Sequence, residues 1–193
     1  MSADTLIHLI VRPAVRAVAR TPITPNHITT LRLVTGIAAA AAFAVGGGFW
    51  PAIGGLVFVV SMLLDRADGE LARQTGQSSP GGYWYDIISD GASNVLAMLG
   101  IGIGLWGSWG MVGPVLGAIA GLGIGALFWQ LFALKLAQPQ GYELRPGIII
   151  DPDDALILVP VFVWTGLALP MLVAAAVITP LAVLWLGLRG RQP

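Results

Sequence analysis

Long apolar stretches alternate with short polar interruptions along most of the chain. Pro and Gly residues divide the apolar stretches into six segments, and each is close to the roughly 20 residues that a helix needs to cross a bilayer. The predicted spans are 26–48, 50–73, 81–107, 110–136, 152–169 and 171–189. The pattern therefore predicts an all-α integral membrane protein with six transmembrane helices.

The first twenty residues follow a different pattern, in which a polar side chain recurs at every fourth position. These positions are Asp4, His8, Arg12, Arg16 and Arg20. Such a stripe is typical of an amphipathic helix lying at the membrane surface, and Pro13 is expected to kink it. A disordered tail is the alternative. We expect a single membrane domain over 1–193, with the surface helix in 1–25 and a six-helix bundle in 26–189.

Composition supports a membrane protein. Of the 193 residues, 56% are hydrophobic and 10% are charged, and that charged share is less than half of the share in soluble domains. The chain has no cysteine, so disulfides and thiol chemistry are excluded. The formal net charge is zero, and we expect no nucleic-acid partner.

The basic residues predict the orientation of the bundle. If the N-terminus is cytoplasmic, every Lys and Arg lies in a cytoplasmic segment or in the cytoplasmic half of a helix. The opposite turns carry none, as the positive-inside rule requires. We therefore expect an inner-membrane protein with both termini in the cytoplasm.

A ridge of glycines recurs every four residues on the fourth span. It consists of Gly113, Gly117, Gly121 and Gly125. Such ridges allow another helix to approach closely. The ridge fits a homodimer interface or packing inside the bundle, and the sequence leaves both open.

Four aspartates interrupt the second and third spans. Asp65 and Asp68 are three residues apart, and Asp86 and Asp90 are four apart, so each pair shares one face of its helix. The two helices are antiparallel neighbours in sequence. Asp65 is therefore expected at the height of Asp90, and Asp68 at the height of Asp86, so that the four carboxylates converge.

Such a cluster requires positive charge, because one Asp at the bilayer centre is unfavourable by about 2.5–3.5 kcal/mol. Arg66 and Arg73 offer two charges against four, too few for a closed salt-bridge network. Carboxylate ligands suit Mg²⁺, Mn²⁺ or Ca²⁺, and four of them suit the pair of divalent cations used in phosphoryl chemistry. A divalent-cation or proton-coupled transporter is a remote alternative.

Small residues accompany the acids. Gly69 and Ala72 share the face of Asp65 and Asp68, and Gly82 lies one turn from Asp86. A helix face without large side chains leaves room for a substrate beside the acids. Helix packing is the alternative reason for small residues in a membrane.

At these residues the sequence resembles a known family. The hairpin reads Asp65-x-x-Asp68-Gly69-x-x-Ala72-Arg73, then eight residues, then Gly82-x-x-x-Asp86-x-x-x-Asp90. It matches the signature of the CDP-alcohol phosphotransferases at every fixed position. The family often begins its first span with residue types that are present here as Pro25, Asn26, Thr29 and Arg32.

The resemblance implies an enzyme of phospholipid synthesis that moves a phosphoalcohol from a CDP-alcohol to a second alcohol and releases CMP. It implies two divalent cations, Mg²⁺ or Mn²⁺, held by Asp65, Asp68, Asp86 and Asp90, with Asp90 also as general base. It implies CDP contacts from Gly69, Ala72, Arg73, Gly82 and Asn26. It further implies a homodimer whose active site opens to the cytoplasm.

The substrates stay open at this point. CDP-diacylglycerol with a small alcohol acceptor is the favoured pair, and a CDP-linked small alcohol with a lipid or polyol acceptor is the alternative. Lys135, Arg145 and Arg189 either gather a phosphate-bearing acceptor or serve only as topology anchors. Three further acids, Asp151, Asp153 and Asp154, have two interpretations. They either weaken the case for a phosphorylated acceptor or form the N-cap and acidic first turn of a helix.

Overall fold

The computed structural model describes residues 6–134, 142–145, 148–150 and 156–189. The helices are α1 (Leu6–Val18), α2 (Pro25–Val45), α3 (Trp50–Thr75), α4 (Pro80–Gly104), α5 (Trp106–Trp109), α6 (Val112–Phe128), α7 (Leu158–Trp164) and α8 (Ala168–Arg189). A π-helical turn, Trp129–Ala133, extends α6, and two short strands, β1 (Tyr142–Arg145) and β2 (Ile148–Ile150), pair antiparallel.

Five of the described helices are long and apolar enough to cross a membrane: α2, α3, α4, α6 with its π-helical turn, and α8. The predicted class, an all-α integral membrane protein, is therefore confirmed. The count of six spans is approximate, because the structure describes the predicted fifth span only from residue 156, where a short 3₁₀ turn leads into the seven residues of α7. The β1–β2 hairpin was not predicted.

Local chemistry explains the turn between α3 and α4. Gly76 adopts a left-handed conformation with φ of 67°, which ends α3. Ser79 then caps α4 by accepting a hydrogen bond from the Gly82 amide at 3.0 Å, and Pro80 occupies the first helical position. These residues turn the chain within four positions, so both aspartate pairs lie near the same end of the bundle.

The packing of α2 differs from the simple hairpin that the sequence predicted. Helix α2 packs extensively against both α3 and α4, whereas α3 and α4 touch each other sparsely. The two acid-bearing helices therefore meet across α2. A residue of α2 can lie between their carboxylates.

The glycine ridge of α6 packs inside the chain. A Cβ at Gly113 would stand 2.5 Å from the Gly102 carbonyl oxygen, and one at Gly117 would stand 2.6 Å from that of Met98. Backbone contact this close requires glycine. The structure thus favours the internal role of the ridge, on α4, over a homodimer interface.

The predicted surface helix is confirmed over Leu6–Val18, with Pro13 inside it. Val11 and Val15 are buried in a cluster with Ala67 and Leu71 of α3. Burial of this apolar face stabilises the docked helix. The alternative of a disordered tail does not hold over this range.

Candidate metal centre and its two cavities

The acids of α3 and α4 converge as their spacing predicted. One carboxylate oxygen from each of Asp65, Asp68 and Asp86 lies within 4.8 Å of the other two. Asp90 lies one turn further along α4. Asp68 is 3% exposed, and the other three side chains are partly open. The cluster is therefore buried at Asp68 and accessible to solvent at the other three acids.

Arg32 of α2 lies at the centre of this cluster and is 1% exposed. Its Nη1 donates to Oδ1 of Asp65 at 2.5 Å and to Oδ1 of Asp86 at 2.6 Å. Its Nη2 lies 3.3 Å from Oδ1 of Asp90, and Nη1 lies 4.0 Å from Oδ2 of Asp68. One guanidinium thus faces all four carboxylates from the helix that separates them.

The positive charges are distributed differently from the sequence prediction. The Nε of Arg66 lies 3.9 Å from Oδ2 of Asp65. Arg73 pairs with Glu70 of its own helix at 2.9 Å. The sequence predicts that Arg66 and Arg73 are too few to balance four acids. The structure adds Arg32, which lies closest to the carboxylates because α2 packs between α3 and α4.

Two polar side chains orient individual acids. The buried Thr29 hydroxyl donates to Oδ2 of Asp68 at 2.7 Å, and the Asn94 amide donates to Oδ1 of Asp90 at 3.0 Å. Hydrogen bonds of this kind fix the carboxylates and set their direction. The carboxylates of Asp68 and Asp90 are therefore oriented by neighbouring side chains of the protein.

The cluster fits divalent cations. Its donors are all carboxylate oxygens, the ligand type that Mg²⁺ and Mn²⁺ prefer. Four acids facing Arg32 and Arg66 leave an excess of negative charge, which a cation would neutralise in a low-dielectric environment. The predicted divalent-cation chemistry is thus supported by the ligand set.

A first cavity of about 230 Å³ opens beside Asp68 and Asp86; we call it the Asn26 cavity. All five residues predicted to contact CDP line it, namely Asn26, Gly69, Ala72, Arg73 and Gly82. Gly82 faces Asn26 closely, because a Cβ there would stand 3.2 Å from the Asn26 Oδ1. The small residues thus keep this cavity open rather than serving only to pack helices.

A second cavity of about 200 Å³ lies on the Asp90 side; we call it the Phe128 cavity. It shares Asp68 and Asp86 with the first cavity and adds Asp90, Phe128 and Phe132. The two rings are 5.3 Å apart between centroids and come from α6 and its π-helical turn. Turns of this kind are frequent at functional sites. The acids therefore lie between two cavities.

The three residues predicted for an acceptor site are not brought together within the described part of the chain. Lys135 lies outside the described residues, as do Asp151, Asp153 and Asp154, and Arg145 is described only as part of β1. Arg189 stacks over the Trp185 ring at 4.3 Å. It is absent from the described lining of both cavities.

Sequence reasoning missed the central position of Arg32 and the contributions of Asn94, Phe128 and Phe132. A signal for Arg32 was present, because a charged residue seven positions into an apolar span is by default a functional candidate. The positive-inside pattern and the family resemblance both account for Arg32 without giving it a partner. The aromatic wall gave no comparable signal, since apolar rings are common throughout membrane spans.

An oxygen-ligand metal centre between two cavities, inside a helical membrane bundle, defines a membrane enzyme of the phosphoryl-transfer type. Residues 22–139 match the profile of the CDP-alcohol phosphatidyltransferase family. The chain belongs to this family, so the predicted family and enzyme class are confirmed.

Two known proteins illustrate the relationship. The chain is 26% identical over 165 residues to the bifunctional IPC transferase and DIPP synthase of Aquifex aeolicus (strain VF5), covering 83% of this chain but 37% of that protein. The fold is similar to that of the Mycobacterium tuberculosis phosphatidylinositol phosphate synthase. Its apo structure gives a TM-score of 0.64 at 21% identity, covering 90% of this chain and 94% of that one.

The same synthase has been solved in complex with manganese and citrate, with a TM-score of 0.66 at 23% identity, covering 90% of this chain and 87% of that one. A third structure has CDP-DAG bound, with a TM-score of 0.65 at 21% identity, covering 91% and 92% of the two chains. At this identity the likeness establishes a shared fold.

Proposed function

We propose that this chain transfers a phosphoalcohol from a CDP-alcohol to an acceptor hydroxyl and releases CMP. The observation that carries the proposal is the position of the acids between the two cavities. The Asn26 cavity is lined by every residue expected to contact CDP, and the Phe128 cavity contains Asp90. Donor and acceptor can therefore approach the same carboxylates from different sides.

The reaction is a displacement at the phosphorus that carries the alcohol of the donor. The acceptor oxygen forms a bond to this phosphorus, the bond to the CMP oxygen breaks, and the hydroxyl proton passes to Asp90. A carboxylate that accepts this proton in the transition state accelerates attack by a weakly nucleophilic hydroxyl. Asn94 and Arg32 both lie at Oδ1 of Asp90 and orient it for this role.

Asp65, Asp68, Asp86 and Asp90 would hold two divalent cations, which neutralise the pyrophosphate and the leaving CMP when bound. The oxygen-only donor set supports this assignment. Arg73 adds a guanidinium at the shared edge of both cavities, where it can bind phosphate oxygens. The remainder of the Asn26 cavity then receives the cytidine.

CDP-diacylglycerol is the donor that we favour, because the solved structure with CDP-DAG bound shares this fold. A CDP-linked small alcohol is the second candidate. The sequence match to the bifunctional IPC transferase and DIPP synthase of Aquifex aeolicus keeps this candidate beside the first. The acceptor is a small alcohol with the first donor and a lipid or polyol with the second.

The test is release of CMP by the purified protein in detergent with MnCl₂. CDP-diacylglycerol is tried against a panel of polyols, phosphorylated polyols and amino alcohols, and soluble CDP-alcohols are tried against lipid alcohols. We expect one donor class to give CMP and EDTA to abolish the release. CMP release that continues in a metal-free sample would contradict the proposed mechanism.

A cytoplasmic site and a homodimer are part of the same proposal, supported by the distribution of basic residues and by the family resemblance. The chain has no cysteine, which makes labelling clean. Ser78→Cys should react with an impermeant thiol reagent only from the cytoplasm, and Ser108→Cys only from outside. The reverse pattern would place the site on the wrong side for cellular CDP-lipids.

A further inference from the structure

Glu70 lies two residues after Asp68 on α3 but faces away from the metal centre. It is 6% exposed, although it is charged and lies near the end of its helix. Its carboxylate accepts hydrogen bonds from three side chains on two helices. Buried carboxylates require such partners, and the identity of these partners connects Glu70 to the substrate site.

One carboxylate oxygen holds Arg73. Oε2 of Glu70 accepts from Arg73 Nη2 at 2.9 Å and from Arg73 Nε at 3.3 Å. These two nitrogens form one edge of the guanidinium. The remaining nitrogen, Nη1, lies 3.7 Å from the position that a Cβ at Gly69 would occupy, on the side of the cavities. Glu70 thus fixes one edge of Arg73 and directs the other toward the substrate.

The other carboxylate oxygen is held from the opposite direction. Oε1 of Glu70 accepts from Gln74 Nε2 at 2.8 Å and from Arg12 Nε at 3.3 Å. Arg12 belongs to the surface helix α1, whose apolar face packs on Ala67 and Leu71 of α3. The position of Glu70 therefore depends partly on the docking of α1.

Arg73 requires such support, because its side chain is 58% exposed. An exposed arginine samples many rotamers, and its guanidinium must be ordered when a ligand binds. Two hydrogen bonds to one buried carboxylate order it in advance. Preorganisation of this kind strengthens binding because the arginine side chain loses less conformational entropy when the ligand binds.

We propose that Glu70 is a positioning residue that holds Arg73 toward the pyrophosphate of the nucleotide and is itself held by the surface helix through Arg12. The inference rests on the proposed function, since it gives Arg73 a nucleotide to bind. It adds to the family signature a residue that the signature does not specify. It also gives α1 a role in substrate binding besides membrane association.

The test is the equilibrium affinity for CDP of the purified full chain in detergent with MnCl₂, with melting temperatures measured in parallel. Glu70→Gln keeps the shape of the side chain but removes its charge. We expect it to weaken CDP binding on the order of tenfold, as for loss of a supporting hydrogen bond to a ligand residue. Arg73→Ala should weaken binding further.

The double variant separates positioning from a structural role. If Glu70 acts through Arg73, adding Glu70→Gln to Arg73→Ala should cause no further loss of CDP affinity. An equal loss in both backgrounds would overturn the proposal, as would a Glu70→Gln protein that binds CDP within twofold of the parent. A parent chain that does not bind CDP would overturn the proposed function together with the inference.

Arg12→Gln tests the link to α1 and also serves if Glu70→Gln does not fold. It should weaken CDP binding in the same direction as Glu70→Gln but by less. Arg16→Gln is the matched control, because Arg16 is an exposed arginine one turn further along the same helix. Equal CDP affinities of the two arginine variants would remove α1 from the proposal.

Discussion

Two charged clusters on α3 differ in the balance of their charges. Around Arg32, four carboxylates from two helices face one central guanidinium. Around Glu70, one carboxylate receives two guanidiniums, those of Arg12 and Arg73. Both central groups are buried. The first cluster has an excess of acid and suits a bound cation, whereas in the second a buried carboxylate holds one arginine of α1 and one of α3.

The difference follows from which side of α3 each group occupies. Asp65, Asp68 and Gly69 face α2 and the cavities, while Glu70 faces α1. Neighbouring positions on a helix point about 100° apart, so a short acidic sequence can serve two sites. Substitutions around Arg32 should therefore change metal affinity and turnover, whereas substitutions around Glu70 should change CDP affinity.

The largest effect is expected from Asp68→Asn, which removes the most buried acid of the centre. CMP release should fall below detection and Mn²⁺ affinity should drop, because a ligand is lost. The protein should still fold, since one of four mutually repelling charges has been removed. Circular dichroism with Mn²⁺ titration checks both statements. Retention of parent-like turnover would contradict the metal assignment. Glu70→Gln is the contrasting removal of charge, expected to weaken CDP binding and to leave Mn²⁺ affinity near that of the parent.

Asp90→Asn should separate chemistry from binding within the acid cluster. The other three acids still hold a cation, so CDP affinity should stay near that of the parent. Single-turnover rates at saturating Mn²⁺ should fall by about 10²–10⁴, the usual contribution of a positioned base. If the variant instead loses CDP binding as fully as Asp68→Asn, then Asp90 is mainly a metal ligand. A rate within a few-fold of the parent would assign the base to another group.

Much of this site could be predicted from residue spacing. The i,i+3 and i,i+4 pairs and the small residues lie on one short segment, and local geometry determines which face they share. The position of α2 between α3 and α4 could not be predicted this way, because helix order in space depends on packing along the whole length. The sequence therefore predicts Arg32 in the cytoplasmic half of its helix but does not predict its partners.

The surroundings of Glu70 and Phe128 could not be predicted from the sequence, for related reasons. Glu70 lies inside the motif at an unspecified position, and its partner Arg12 is 58 residues away in sequence. Phe128 lines the same cavity as Asp90 because α6 packs on α4. Neither relation follows from periodicity. The sequence therefore predicted the ligands, and the tertiary packing supplied the groups that hold them.

Arg32→Gln should lower the melting temperature of the protein, whereas Arg12→Gln should not. Removing one partner of a buried ion pair typically destabilises by about 3–5 kcal/mol, because the other charges stay buried without compensation. Mn²⁺ should restore part of the melting temperature by neutralising the same acids. Thermal unfolding with and without MnCl₂ measures this, and Arg32→Lys should be intermediate. Equal melting temperatures for Arg32→Gln and Arg12→Gln would show that the acid cluster does not depend on its central cation.

Thr29→Val is expected to have the smallest effect, and it examines the acid cluster without altering any charge. The substitution keeps the buried shape but removes the hydroxyl that donates to Oδ2 of Asp68 at 2.7 Å. Loss of a hydrogen bond that orients a metal ligand typically reduces metal affinity by about 10- to 100-fold.

The matched control for Thr29→Val is Thr30→Val, because the neighbouring Thr30 is exposed and bonds to Tyr85 instead of an acid. Mn²⁺ affinity, measured by electron paramagnetic resonance of the free ion, should fall for Thr29→Val and stay constant for Thr30→Val. CDP affinity at saturating Mn²⁺ should be unchanged in both, because Arg73 remains held by Glu70. Equal Mn²⁺ affinities would mean that Arg32 alone fixes the acids, and a loss of CDP affinity at saturating Mn²⁺ would mean that the two clusters are not independent.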